Sequence, residues 1–204
     1  MTVLIDDAFG RADESPLGSP YLAPTSGIPG TLRLVSNQVA NTTAATDSWA
    51  YHNVTYPDDQ WAEMTIAATG GIDFGPIVRE TSTGSGYEVT PTGGGGQITI
   101  QKVVNGAFSL LTGVVAAYAN GDVIYVEIKG NTLIVKQNGT TIITFTDSSS
   151  PLTGGKACLG GFDGTWRVNR FRAGDFLSAN NALDESGYYP TEPQTNPLAV
   201  SVWS

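Results

Sequence analysis

The amino-acid sequence predicts an all-β protein, a sandwich or barrel of short antiparallel strands. Three observations carry that prediction. Residues 121–147 spell out three strands and two tight turns, runs of Val, Ile, Thr, Tyr and Phe separated by Gly130-Asn131 and Asn138-Gly139. Asn-Gly suits a type I′ hairpin, whose two central residues both need positive φ. Composition points the same way: 25 glycines, abundant Thr and Ser, and only 14% charged residues, a mix that favours strands and turns over helices. Finally, no stretch convincingly repeats apolar residues at i, i+3, i+4 and i+7; the nearest, 173–183, contains Gly174.

A first strand is expected at 3–9. Residues 10–30 read as loop, punctuated by Pro16, Pro20, Pro24 and Pro29. Residues 31–35 and 38–40 form a small hairpin across Ser36-Asn37. Strands follow at 49–55, 60–68, 72–80 and 84–90, with Tyr56-Pro57-Asp58-Asp59 turning the chain between the first two. Glycines 93–96 link into 97–104, and Asn105-Gly106 turns into 107–115. After the meander, 154–161 and 165–171 close the body. That is roughly a dozen strands, with turn signals about every 8–12 residues.

Alternation locates the core. Ile124, Val126 and Ile128 share one face, and Tyr125, Glu127 and Lys129 share the other. A slip of one residue would bury Glu127 and Lys129, so the pattern itself determines the register. Leu133 and Val135 are expected to face inward beside them. So are Ala62, Met64 and Ile66, with Glu63 and Thr65 outside.

The chain divides into a body, 1–177, and an extended C-terminal arm, 178–204. The arm is a polar tether rich in Asn, Ser, Pro and acid that ends in an alternating run, 198–203. A lone strand cannot pair within its own segment. It must return to a sheet edge of the body or pair with a neighbour. Leu198, Val200, Val202 and Trp203 are therefore the expected anchoring residues, on another subunit or another protein, and a homo-oligomer is expected.

The length allows a core without disulfides. The net charge of −9 argues against binding nucleic-acid phosphates, which needs clustered Lys and Arg. The one basic cluster is Arg167, Arg170 and Arg172. The single cysteine, Cys158, lies in the apolar run Ala157-Cys158-Leu159 and reads as a buried thiol. The first residues have neither a basic n-region nor a long apolar h-region, so no signal peptide is expected. No run of about 18 apolar residues predicts a membrane span.

Several motifs, taken in order, carry a resemblance. Asp6-Asp7-Ala8-Phe9-Gly10-Arg11-Ala12-Asp13 followed by Pro16-Leu17-Gly18 resembles the opening "D-F-x-R-A-D-x-x-L-G" of concanavalin A-like, or LamG-like, jelly rolls. Trp61-Ala62-Glu63 is similar to their central "aromatic-A-E" strand, and Gly75-Pro76-Ile77-Val78-Arg79 to their "G-hydrophobic-hydrophobic-R". Gly121-Asp122, the run 130–139 and the closing 169–175 complete the series. The match covers about residues 3–177 and implies an antiparallel two-sheet jelly-roll sandwich. Such domains occur as carbohydrate-binding modules, as laminarinase-type glycosidases and in bacteriophage structural proteins. With no signal peptide and a terminal strand arm, the expectation is a non-enzymatic virion protein. It would be made in the host cytoplasm and displayed on a capsid or tail among other virion proteins. A soluble carbohydrate-binding module or adhesin is the alternative, and a glycoside hydrolase ranks last.

Glycoside hydrolysis needs two carboxylates flanking the scissile bond. The Glu-x-Asp-x-x-Glu spacing of laminarinase-like strands is absent. Glu63, Glu80, Glu88 and Glu127 stand one per strand and read as solvated surface. His52, the only histidine, has no Gly-x-Ser-x-Gly elbow to serve, and one His with one Cys makes no zinc site. The resemblance implies a structural calcium where first and last strands meet, bringing Asp6 or Asp7 near Asp175, although strand-end capping is the plainer role. No other cofactor is expected. For surface glycans, exposed aromatic rings matter most. Trp49, Tyr51, Trp61, Tyr87, Tyr125 and Trp166 are the candidates, Tyr125, Trp166, Trp61 and Tyr87 foremost, with Tyr125 best placed because it alternates away from Ile124 and Val126.

Overall fold

The register that alternation dictates in the meander is the one the chain adopts. The computed structural model describes residues 1–70, 73–92, 96–162 and 165–176; Leu198, Val200, Val202 and Trp203 lie outside the described residues. The strands are β1 (Thr2–Asp7), β2 (Tyr21–Leu22), β3 (Leu32–Val35), β4 (Gln38–Asn41), β5 (Ser48–His52), β6 (Gln60–Thr69), β7 (Phe74–Thr81) and β8 (Ser85–Thr92). They continue as β9 (Gln97–Val104), β10 (Ala107–Val115), β11 (Val123–Lys129), β12 (Thr132–Gln137), β13 (Thr140–Thr146), β14 (Lys156–Gly161) and β15 (Trp166–Asp175). No helix occurs among the described residues.

Two antiparallel sheets form a jelly-roll sandwich. The eight-stranded sheet runs β13-β12-β11-β6-β15-β4-β3, with β1 also paired to β15. The seven-stranded sheet runs β10-β9-β8-β7-β14-β5-β2. Local hairpins build the runs β11-β12-β13, β7-β8-β9-β10 and β3-β4, and non-consecutive neighbours such as β6 and β15, or β7 and β14, join these runs into sheets. Val126 pairs with Val135 across β11 and β12, and Asn138 and Gly139 both take positive φ, 50° and 81°, as a type I′ turn requires.

The sequence expectation differs in two places. Residues 10–30 hold a two-residue strand, Tyr21-Leu22, paired with β5. The last strand runs past Phe171 to Asp175, because Arg172, Ala173 and Gly174 pair with β6 on one side while β1 covers the other.

The main core lies between the sheets. Ile124, Val126, Ile128, Leu133, Val135, Met64 and Ile66 pack against Phe74, Val78, Tyr87, Val89 and Trp166. Each such side chain contributes about 1.5–3 kcal/mol on full burial. Arg79 closes one end. Its guanidinium donates to the carbonyls of Asp58 at 2.9 Å, Leu152 at 2.6 Å and Gly130 at 2.7 Å, tying three loops together.

Candidate functional site

In the seven-stranded sheet the strands β5, β7, β8 and β14 are buried on both faces. One face is the main core. On the other, Gln101, Glu88, Ile77, Cys158 and Tyr51 stand side by side in register across five strands. A second apolar cluster covers the middle of this outer face: Ile28 from the loop before β3 packs with Trp49, Tyr51, Ile77, Val103 and Cys158, and Phe108 leans on it. Two clefts flank the cluster. One is lined by Asp47, Asp73, Glu88, Gln101, Phe108 and Phe162, with a volume of about 220 Å³. The other is lined by Tyr51, Tyr56, Glu80, Lys156 and neighbours.

The first cleft brings together the residues that could hold a ligand. Glu88 on β8 and Gln101 on β9 form its floor as cross-strand partners. Trp49 donates its indole N–H to Glu88 and meets Phe108 edge-on, with ring centroids 6.1 Å apart. Asp47 and Asp73 come from loops, and the backbone fixes both. Phe162 N–H donates to the Asp73 carbonyl at 2.7 Å, and Thr46 N–H donates to the Phe162 carbonyl at 3.0 Å. The Asn41 side chain clamps the same region by donating to the carbonyls of Thr46 at 2.8 Å and Gly161 at 3.0 Å. Asp73 takes φ of 55°, a left-handed conformation uncommon outside glycine.

Burial raises the pKa of all three acids, and for Asp47 the charge of Asp73 adds to it. Glu88, only 2% exposed, is held well above the carboxylate range by burial first and by the two aspartates second; the indole bond opposes this weakly. None of the three forms an ion pair among the described residues. Nor do described His, Cys, Asp or Glu side chains cluster anywhere so as to hold a metal ion. The cleft therefore offers carboxyl groups and an amide that both donate and accept hydrogen bonds, between two half-buried phenyl rings. That chemistry suits a neutral ligand with many hydroxyls and apolar C–H faces.

Of the aromatic residues expected from sequence, Trp49 and Tyr51 stand on this outer face, and the other four are placed elsewhere. Trp166 and Tyr87 have no exposed surface and belong to the core between the sheets. Trp166 stacks on Phe74, with centroids 5.4 Å apart and planes within 5°. Tyr87 donates its hydroxyl to Asp147 at 2.7 Å. Neither ring can reach a ligand. Trp61 and Tyr125 do lie on an outer face, that of the eight-stranded sheet, and they stack on each other at 5.8 Å. They are nonetheless covered, Trp61 by the Arg172 guanidinium at 5.7 Å and Tyr125 by the Lys136 ammonium at 4.8 Å. Their exposures are 2% and 8%.

The three aspartates expected for calcium do not converge. Asp6 pairs in register with Arg172 and Asp175 with Thr2, which sets Asp6 and Asp175 roughly 13 Å apart along the ladder. Asp6 accepts both Arg170 donors at 2.8 Å, and Asp7 accepts from Arg11, Tyr21 and the Phe9 backbone.

Glu80, Glu88 and Glu127 overturn the reading of the glutamates as solvated surface, since all three are buried, Glu127 beside Lys129 and Lys136. The sequence did carry a signal for the first two. In β5, β7 and β14 the outward positions hold Trp49, Tyr51, Ile77 and Cys158, so the apolar runs are continuous, and continuous runs mark strands covered on both faces. His52 is buried too, its Nδ1 2.7 Å from the Tyr56 hydroxyl.

No protein-family model matches the sequence, and no curated protein matches it significantly. Solved structures do match in fold. A Bacillus subtilis protein of unknown function with a galectin-like fold aligns with a TM-score of 0.63 at 10% identity, over 86% of this chain and 96% of its own. A carbohydrate binding module from Bacillus subtilis aligns with a TM-score of 0.59 at 15% identity, over 76% of this chain and 92% of its own. A Bacillus licheniformis β-glucanase aligns with a TM-score of 0.56 at 13% identity, over 84% of this chain and 98% of its own. The architecture is thus the concanavalin A- and galectin-like jelly roll.

Proposed function

We propose that this chain is a non-catalytic glycan-binding domain whose site is the cleft of Asp47, Asp73, Glu88 and Gln101. The observation that carries the reading is the convergence of these four polar groups between Phe108 and Phe162, with no cation paired to the acids. Saccharide hydroxyls donate to and accept from such groups, and sugar C–H faces lie against aromatic rings. The similarity in fold to a carbohydrate binding module supports the reading. A glycan array followed by calorimetric titration tests it. Gln101→Ala and Phe108→Ala should each lower affinity about tenfold, as loss of one good contact does, while Tyr125→Ala should leave it unchanged. Loss of binding in Tyr125→Ala, with Gln101→Ala and Phe108→Ala unaffected, would move the site to the other sheet.

Hydrolysis at the same cleft is the second reading. It is favoured by Glu88, whose pKa is raised by burial and by two neighbouring acids, the direction a general acid needs. It ranks lower because the Glu88 carboxyl is almost wholly enclosed. Incubation with mixed-linkage β-glucan separates the two readings: reducing ends released by the wild type and not by Glu88→Gln would make this an enzyme. The phage context is an expectation from the sequence and concerns what carries the domain. Antibody labelling of purified particles in the electron microscope tests it.

A further inference from the structure

The second cleft on the outer face of the seven-stranded sheet encloses about 590 Å³ and shares no lining residue with the first. Its size falls in the range of small-molecule sites. Glu80 forms the floor, Tyr51, Tyr56 and Lys156 the walls, and Gly154 and Gly155 part of the rim. Glu80 has no exposed surface, yet neither of its carboxyl oxygens has a hydrogen-bond partner among the described residues. Buried polar groups are otherwise bonded, and each exception calls for a reason.

The natural partner is present and turned aside. Lys156 sits directly across from Glu80 in the β7–β14 ladder. Its ammonium instead donates to Asn53 Oδ1 at 2.8 Å and lies 4.6 Å from the Tyr51 ring centroid. Gly155, which has φ of 87°, packs directly against the backbone of Arg79 and Glu80 at the edge of this cleft. A Cβ there would lie 2.4 Å from the Arg79 carbonyl carbon and 2.5 Å from the Glu80 carbonyl oxygen, so only glycine fits this approach. An acid and a base thus line one cavity without meeting.

We propose that this cleft is a second binding site, for a neutral polyhydroxylated ligand of saccharide size, held by Glu80 at one end and Lys156 at the other. A free cation would be repelled by Lys156, whereas hydroxyl groups can donate to the Glu80 carboxyl and accept from the Lys156 ammonium. Burial raises the Glu80 pKa to about 8, against the pull of Lys156. At neutral pH the carboxyl therefore presents one donor and one acceptor, the complement of a hydroxyl pair. Tyr51, Tyr56 and Cys158, which also face it, are all shifted upward and stay neutral there. The ligand class rests on the reading of the domain as a glycan binder; the location does not.

The test uses the full chain labelled with ¹⁵N and titrated with glucose, galactose and mannose, with methylammonium chloride and sodium acetate as charged probes. The expected result is that a neutral sugar moves the Gly154 and Gly155 amides in the wild type and also in Phe108→Ala. Lys156→Met and Glu80→Leu should weaken that response about tenfold while the Gln101 amide responds as before. Sugar shifts confined to Gln101 and Phe108 would overturn the second site and leave the first. Shifts at Gly154 and Gly155 with methylammonium or acetate, and none with sugar, would overturn the ligand class. Sugar shifts at Gly154 and Gly155 alone would sustain this site and remove the first.

Discussion

On the outer face of the eight-stranded sheet the acids Asp6, Glu63 and Glu127 all meet cations: Asp6 meets Arg170 and Arg172, Glu63 meets Arg172, and Glu127 meets Lys136 and Lys129. On the outer face of the seven-stranded sheet Glu80 and Glu88 are buried more deeply and form no ion pair among the described residues. The first face is a cross-strand ladder of opposite charges laid over a Trp61–Tyr125 stack, as a solvated sheet surface should be. The second places uncompensated carboxyl groups in an apolar setting, which weakens the fold. Acids perturbed in that way concentrate at functional sites. The difference teaches that the rings of Trp61 and Tyr125 mark the finished face, and that the candidate site lies where charge is left unmatched.

The largest expected effect follows from that imbalance. Glu80 has a pKa raised to about 8 in the fold, from 4.5 for an unperturbed glutamate, so the folded chain holds a proton that the unfolded chain releases. Its contribution is fully present below about pH 4.5 and is lost as pH rises through about 8. Through Glu80 alone stability should therefore fall by roughly 3–5 kcal/mol from about pH 5 to pH 8, with Glu88 adding in the same direction and His52, whose pKa burial lowers, opposing it below about pH 6.5. The acids whose pKa is lowered, Asp6, Asp122 and Asp147, matter only at more acid pH. Urea denaturation at pH 5 and pH 8 checks this. The double variant Glu80→Gln, Glu88→Gln should flatten the profile, and an unchanged slope would show that both acids already have partners.

The second contrast compares the aromatic groups. Trp49 is sealed into the cap cluster under Ile28 and Phe108, so Trp49→Ala should cost about 3–5 kcal/mol. It should also loosen Glu88, which loses its indole donor. Glu127→Gln on the other face leaves the Tyr125 hydroxyl bonded and removes only the attraction to two partly exposed lysines, worth about 1 kcal/mol. Thermal unfolding of both variants at pH 5 measures the two. Equal losses would mean that the cap cluster is no tighter than a solvated ladder.

Much of the fold was legible in the chain. The Asn138-Gly139 turn, the alternation of Ile124, Val126 and Ile128, and the ordered motifs from Asp6 to Asp175 lead to a jelly roll because each is local or rests on a period of two. The site was not legible, for a physical reason. The sequence reading sets both Glu88 and the Tyr87 ring at the surface, yet Tyr87 points inward, and what covers the far side of β8 comes from residues 28, 47, 73, 108 and 162. Their proximity depends on non-consecutive pairings such as β7 with β14, which no local pattern encodes. Alternation likewise marks Tyr125 as facing outward, correctly, while Lys136 and Arg172 close over the rings from other strands. Arg79 was visible as part of a motif, but its task of gathering three loop carbonyls appears only once those loops are placed.

The smallest effect tests whether the ladder on the eight-stranded sheet is structural at all. Arg170 and Asp6 form a bidentate pair at 2.8 Å, but their side chains are 50% and 40% exposed. Exposed pairs contribute about 0–1 kcal/mol and are screened by salt. Arg170→Gln should therefore lower stability by no more than about 0.5–1 kcal/mol in dilute buffer, and by nothing measurable in 1 M sodium chloride. The same salt should leave the pH slope set by Glu80 and Glu88 nearly intact, because groups buried beneath Ile28 and Gly155 are shielded from ions. If salt flattened the acid slope as fully as it erased the Arg170 effect, the two carboxyls would have to be solvated, and the contrast between the faces would disappear with them.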